Sequence, residues 1–199
     1  MGKEKSVLII GGGGIGSYIC KNIFDMVLKN QINEDITFCV ADFDAVEKKN
    51  VLYQNFEASD VLKNKAEVIA KKYAFIPLNK KVESFNDLRG YDCIICCVDN
   101  FISRRLLFEY AEQNPNLYWI DLRSEGRNIA YWTKHKANTL TKLLSTLREE
   151  SGSRSCQLKY KLDKKIIDFG NVIIASIGTQ LLLNWLRNDD NDAEFIGIF

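Results

Sequence analysis

The run Val7-Leu8-Ile9-Ile10-Gly11-Gly12-Gly13-Gly14-Ile15-Gly16 constrains this chain more than any other stretch. Four apolar residues end abruptly in glycine, and apolar residues then return at Ile15, Ile19, Ile23, Met26 and Val27, close to a 3.6-residue period. The pattern reads as strand, tight loop, helix. Gly11, Gly13 and Gly16 fit G-x-G-x-x-G. In that motif the first glycine makes the turn, the second leaves room for phosphate oxygens and the third lets the helix approach the strand. The amides of the helix N-terminus would face the loop, so an anion should bind there, with Gly14 among the groups lining it.

The rest of the chain supplies the alternation that such a unit needs. A second strand is predicted over Ile36 to Asp42, followed by a polar loop from Phe43 to Ser59 that carries Asn50, Tyr53 and Gln54. A helix capped by Ser59 or Asp60 runs to about Tyr73, with Lys65 in its early turns, where a lysine opposes the helix dipole unless an anion lies nearby. Pro77 closes that element. A short strand is predicted over Lys81 to Phe85, an apolar one over Tyr91 to Val98 ending in Asp99-Asn100, and a helix over Ser103 to Gln113, broken by Asn114-Pro115-Asn116. Two strands follow, Leu117 to Leu122 and Asn128 to Thr133, with Glu125-Gly126 between them. Residues 135–163 read as a polar, partly helical crossover, residues 164–188 as one long helix apolar on more than one face, and Glu194 to Phe199 as a last strand.

Strands alternating with helices predict an α/β fold, a doubly wound, Rossmann-like and mainly parallel sheet with helices on both faces. At 199 residues the chain suits one domain, with a core over residues 1–134 and the crossover and terminal helix as its completion. Gly11 to Gly16, Asp42 and Asp99 all fall at carboxyl ends of predicted strands, the edge where such sheets bind ligands. Asp42, with Asp44 two residues on, is the candidate for ribose hydroxyls, and Asp99 for a metal ion held by phosphates.

Composition narrows the chemistry. With 27 Lys+Arg against 26 Asp+Glu, no overall field draws the chain to nucleic acid or to an anionic membrane. No apolar run approaches the roughly 20 residues of a membrane span, and Lys3-Glu4-Lys5 leads straight into the first strand, so a cytoplasmic protein is expected. Its six cysteines lie mostly in apolar runs, which argues for buried thiols rather than disulfides. Cys93 and Cys96 are nominally C-x-x-C but sit in a buried-strand pattern without a second pair, so zinc is disfavoured. His135 is the single histidine, which leaves little support for histidine acid/base chemistry. Cys156 is the one cysteine in polar surroundings, beside Arg154, and is the candidate nucleophile.

Taken together, Gly11 to Gly16, then Asp42-Phe43-Asp44 with Asn50 and Gln54, then Lys65, then Val98-Asp99-Asn100 with Arg104, resemble the ThiF/MoeB adenylyltransferases. That family includes the nucleotide-binding core of ubiquitin-activating enzymes. The resemblance runs to about Trp132, and the tail, from Ser155-Cys156 to Phe195-Ile196-Gly197, resembles the shorter plasmid-associated ThiF-like proteins. It implies ATP and Mg2+ as cofactors, a homodimer, and as substrate partner the C-terminal carboxylate of a ubiquitin-like or sulfur-carrier protein or of a peptide. By the same resemblance Asp99 holds magnesium, Lys65 neutralises phosphate charge, Asn50 sits against the phosphates, Asp42 takes the ribose, and Asp44, Gln54 and Asn100 belong to the nucleotide site. In some members a cysteine accepts the acyl group, a role that would fall to Cys156. A terminal carboxylate, with a pKa of about 3.5, is already an anionic nucleophile and needs no histidine base.

Two features depart from the family pattern. Members usually carry Arg-Gln where this chain has Tyr53-Gln54, and a neutral phenol does not replace a guanidinium. Loss of a transition-state arginine costs on the order of a thousandfold in rate by analogy with phosphoryl transfer. Members also usually have an N-terminal segment that lends a basic residue to a partner subunit. Arg104, Arg105, Arg123 and Arg127 are the candidates to compensate, with Arg123 the best placed at a strand end. The alternative expectation is a catalytically impaired, nucleotide-binding scaffold partner of an active enzyme. An NAD-dependent oxidoreductase would use the same fold and Asp42 but leaves Asn50, Lys65 and Asp99 without a task.

Overall fold

The structure is a computed structural model that describes residues 4–32, 35–134, 138–147, 157–189 and 194–198. Its strands are β1 (Lys5–Ile10), β2 (Ile36–Ala41), β3 (Ile76–Leu78), β4 (Cys93–Cys96), β5 (Tyr118–Glu125), β6 (Asn128–Thr133) and β7 (Glu194–Ile198). Its helices are α1 (Gly16–Leu28), α2 (Lys65–Tyr73), α3 (Phe101–Gln113), α4 (Leu140–Ser145), α5 (Lys159–Leu162) and α6 (Gly170–Arg187). The strands form one sheet in the order β3-β2-β1-β4-β5-β6-β7, parallel from β3 to β5 and antiparallel across β6 and β7. This is the expected doubly wound, Rossmann-like α/β sheet.

Period-2 side-chain alternation divides the buried strands between two cores. Val7, Ile9, Cys93, Ile95 and Ile120 meet Ile19 and Ile23 of α1, Val68 and Ile69 of α2 and Ile174 and Leu182 of α6 on one face. Leu8, Ile10, Ile94, Cys96 and Trp119 meet Leu107 and Phe108 of α3 and Leu143 of α4 on the other. Cys93 and Cys96 therefore project to opposite faces and cannot share one ion. Burial pushes both thiols up, Cys96 to about 12, so each behaves as a small hydrophobe.

Three expected boundaries move. The predicted strand over Lys81 to Phe85 is absent, and β3 forms instead at Ile76–Leu78, around Pro77. Proline is tolerated there because, among the described residues, β3 pairs only with β2 and lies at the sheet edge. The helix expected from Ser59 or Asp60 begins at Lys65, capped by Asn64, whose Oδ1 accepts from the Glu67 amide at 3.1 Å. Before it, Leu62 takes a left-handed φ of 73°, which no continuous helix admits, and Ala58–Asp60 is a separate 3-10 turn. The long helix expected over 164–188 is broken as well. Lys165 has φ 57°, and α6 starts only at Gly170.

α6 reaches the ligand edge because of glycine. A Cβ on Gly170 would lie 2.1 Å from the carbonyl oxygen of Gly126, the residue that turns β5 into β6 with φ 61°. The helix N-terminus can therefore press onto that hairpin, beside the carboxyl ends of the parallel strands.

Candidate active site

Each glycine of the loop now has a measurable task. Gly11 adopts φ 92°, the left-handed region that favours glycine, and its amide donates to Ala41 O at 2.8 Å. A Cβ on Gly16 would lie 1.8 Å from Gly11 O, so no side chain fits between loop and helix. At Gly13 the nearest neighbour of an added Cβ is Gln54 Nε2 at 3.9 Å, so the space above this residue is open. Among the described residues no acceptor is paired with the Gly13 and Gly14 amides. The start of α1 thus presents free donors and an open cradle to an anion.

Asp42, directly after β2, is buried beside the loop. Its Oδ2 accepts from the Gly12 amide at 2.7 Å and its Oδ1 from the Asp44 amide at 2.8 Å. An ionised carboxylate has about four acceptor positions, so two remain for hydroxyl donors. Burial raises the Asp42 pKa, against Lys65 and the two amides, which favour the charged form. Lys65 is buried, and its Nζ pairs with Asp44 Oδ2 at 3.0 Å. A lysine at the first position of α2 is satisfied by this carboxylate rather than by the helix dipole. Asp99 follows β4 and is exposed. Desolvation raises its pKa, with Arg104 and Lys65 pulling it down and Asp44 pushing it up. Asp42, Asp44, Lys65 and Asp99 are therefore one electrostatic cluster at the carboxyl ends of β2 and β4.

Asn50 and Gln54 form the opposite wall. Asn50 is buried, its Oδ1 accepting from the Glu47 amide at 2.8 Å, and its Nδ2 lies 3.4 Å from the Tyr53 hydroxyl. Gln54 is buried too, and its Oε1 has no partner. A buried amide oxygen left unpaired costs about 1–3 kcal/mol, and this one belongs to the side chain nearest Gly13. Asn100 caps α3, its Oδ1 accepting from the Ser103 amide at 2.8 Å. Tyr53 is buried against Asn50, so this position projects no cation.

The arginines expected to compensate are engaged elsewhere. Arg104 Nε and Arg123 Nε each bind the fully buried Asp121, at 2.9 and 2.7 Å. Arg123 also donates to Thr146 O and Oγ1, both at 2.9 Å, and stacks 4.0 Å over Trp132. Burial lowers the pKa of Arg123. Burial acts the same way on Arg104, but Asp121 outweighs it and the net shift is upward. Arg105 pairs with Glu109 on the surface, and Arg127 is exposed in the hairpin. Cys156 and His135 lie outside the described residues.

One supporting residue escaped sequence reasoning. Asn171, in the first turn of α6, donates through Nδ2 to Gly14 O at 3.1 Å and to Tyr53 O at 2.8 Å. It ties the glycine loop to the Tyr53–Gln54 wall. A lone asparagine next to Val172-Ile173-Ile174 was the available signal. Behind it, Gln157 and Asp168 exchange two hydrogen bonds, at 2.7 and 2.9 Å, and Lys161 pairs with Asp168 at 2.6 Å.

The glycine loop, acidic strand ends and paired lysine lie together at the carboxyl edge of the parallel strands. The chain belongs to the ThiF family, whose model matches residues 3–196. Solved structures share its fold. Selenomethionine PaaA superposes with a TM-score of 0.68 at 16% identity, and Escherichia coli MccB with a succinimide at 0.65 and 16%. Escherichia coli MccB with AMPCPP and selenomethionine MccA gives 0.64 and 16%. Each match covers 99% of this chain but only 61%, 61% and 64% of those chains.

Proposed function

We propose that this chain is an ATP-dependent adenylyltransferase that activates the C-terminal carboxylate of a peptide, or of a ubiquitin-like or sulfur-carrier protein. The observation that carries the reading is the open Gly13 cradle with its free Gly13 and Gly14 amides, to which the buried Gln54 presents its Nε2 donor. The ThiF family match and the AMPCPP and MccA bound to one structural neighbour support nucleotide and peptide as the two substrates.

The loop amides and the Gln54 Nε2 donor hold the phosphates, and the free acceptor positions of Asp42 take ribose hydroxyls. Lys65 exchanges part of its contact with Asp44 for a phosphate oxygen. Asp99 and Asp44 are the carboxylates suited to a magnesium ion, which supplies charge neutralisation for the triphosphate. A carboxylate oxygen of the substrate attacks the α-phosphorus. The new C(O)–O–P bond forms as the bond from the α-phosphorus to the oxygen bridging the β-phosphorus breaks, and pyrophosphate leaves with that electron pair. No proton moves, so positioning and charge neutralisation are the catalytic devices.

The second reading, a nucleotide-binding scaffold for an active partner, is favoured by one observation. Tyr53 is buried and neutral, while Arg104 and Arg123 are held by Asp121. The deciding experiment is isothermal titration with ATP and magnesium, with NAD as control, followed by ATP–pyrophosphate exchange with candidate carboxylates. Binding should be magnesium-dependent and at least about tenfold weaker in Asp99→Ala, a loss of about 1.4 kcal/mol. Gln54→Leu should weaken binding similarly while leaving thermal stability unchanged or higher. Exchange above background establishes the transferase, binding without exchange establishes the scaffold, and absence of ATP binding removes both.

A further inference from the structure

Gly14 O is a carbonyl that α1 does not use. The Ser17 amide bonds Gly13 O at 3.0 Å, but the Tyr18 amide turns to Ile15 O at 3.1 Å, and the Ile19 amide shares that acceptor at 3.0 Å. Among the described residues Gly14 O therefore receives no backbone donor. The Asn171 side chain fills the gap through Nδ2, which also donates to Tyr53 O, so both N–H groups of one carboxamide are committed to backbone oxygens. Those two acceptors dictate which way the amide points: its oxygen must face away from them.

This grip reaches into the loop. In a trans peptide the C=O and N–H point in opposite directions, and among the described residues every peptide bond is trans. The helix holds Gly13 O and so directs the Gly14 N–H, whereas Asn171 holds Gly14 O and sends the Ile15 N–H to the side opposite itself. Among the described residues the Ile15 amide has no acceptor, so it joins those of Gly13 and Gly14 as an open donor at the start of α1. Gln157 in turn sets Asn171. The two side chains are 2% and 1% exposed. The Gln157 carboxamide pairs with the Asp168 backbone in both directions, Nε2 donating to Asp168 O at 2.7 Å and Oε1 accepting from the Asp168 amide at 2.9 Å, which pins the turn that leads into Asn171. The same Nε2 reaches Asn171 Oδ1 at 3.4 Å. Backbone partners thus orient both amides, and the donor end of one meets the acceptor end of the other. A reversed Asn171 would set its oxygen against Gly14 O and Tyr53 O and its NH2 against Gln157 Nε2.

We infer that Gln157 is a positioning residue for the nucleotide site: acting through Asn171, it fixes the Gly14–Ile15 peptide plane and keeps the Ile15 amide aimed at phosphate as a third loop donor. The inference rests on the reading of the glycine loop as a phosphate site. Lys161, on α5, supplies the contrast. It pairs with the Asp168 carboxylate at 2.6 Å rather than with either carboxamide, so it steadies the same turn without setting the direction of Asn171.

The test is calorimetric titration of the 199-residue chain with ATP and magnesium and, as a probe of the loop alone, with inorganic triphosphate. Gln157→Met should weaken both by about tenfold. Gln157→Met/Asn171→Ala should bind no more weakly than Asn171→Ala, because the two residues act in series. Lys161→Met should lower the melting temperature and leave both affinities unchanged. In the ligand-free protein, the amide nitrogen–proton resonances of Gly14 and Ile15 should move in Gln157→Met and hold still in Lys161→Met. Unchanged affinity in Gln157→Met, losses that multiply in the double variant, or an equal loss in Lys161→Met overturns the proposal. A wild type that takes up neither ATP nor triphosphate overturns the adenylyltransferase reading instead. The ligand-free resonances then decide the coupling: movement in Gln157→Met alone establishes it, and resonances that stay in place overturn it as well.

Discussion

Gly13 and Gly16 sit three residues apart in the same loop and should fail in opposite ways. A methyl on Gly16 lands 1.8 Å from a backbone oxygen, so Gly16→Ala must move α1 or the loop, at about 1–3 kcal/mol or more. A methyl on Gly13 meets nothing closer than 3.9 Å, so Gly13→Ala should melt within a few degrees of wild type while intruding on the open space proposed to take a phosphate. Melting curves with parallel ATP titrations separate the two. Gly16→Ala should lose stability. Gly13→Ala should lose at least about tenfold in affinity and little else. Both roles were legible in the sequence, because the spacing of a glycine motif encodes which residue turns, which opens and which packs. The partners of Asp42 were not. An aspartate at a strand end announces a polar task, but only the folded loop shows Gly12 and Asp44 already using two of its acceptor positions.

Short elements carry their own electrostatics. Ser84 and Asp87 form a capping box on the 3-10 turn Phe85–Leu88, and Asp87 also binds Lys80 Nζ at 2.6 Å. Lys80, with the Glu83 and Ser84 amides and the Ser84 hydroxyl, holds the Asp87 carboxyl well below its ordinary 3.8. A carboxylate with a depressed native pKa stabilises the fold above the unfolded value, and that contribution disappears as pH falls toward the native one. Asp87→Ala should therefore cost about 1 kcal/mol at neutral pH, the usual worth of a cap. The gap from wild type should begin to narrow below about pH 4 and shrink further as pH falls toward the native value, which chemical denaturation across pH checks. This turn begins at Phe85, where the strand expected over Lys81 to Phe85 was to end, and the reason is local. Val82 is buried like a strand residue, yet Ser84-Phe85-Asn86-Asp87 carries turn-forming side chains. Helix starts failed for a related reason. Ser59, Asp60 and Asn64 are all competent caps, and the left-handed Leu62 decides among them only once the chain is folded.

Across the whole molecule, β1, β2 and β4 to β7 were readable in the sequence, whereas the edge strand β3 and the contacts through which α6 braces the site were not. Strand, loop and helix over the first 120 residues follow from periodicity, whereas α6 binds the site through contacts that no local pattern contains. Asn171→Ala would leave Gly14 O and Tyr53 O without their donor, at about 2–4 kcal/mol. Affinity for ATP should fall with it, and exchange of the Gly13 and Gly14 amides should quicken, measurable by melting and by hydrogen exchange. Among the described residues no helix is long and apolar enough to cross a membrane, and the apolar faces of α6 are covered instead by α1, β5 and β6.

The Asn171–Gly14 bond also has a bearing on synthesis. It spans 157 residues, so the loop leaves the ribosome long before its latch does. Domains generally fold as units during translation, and long-range contacts close late. A nascent chain stopped short of α6 would carry every glycine of the loop in the right order and still lack a braced site. Bracing of the proposed nucleotide site thus waits on synthesis of α6.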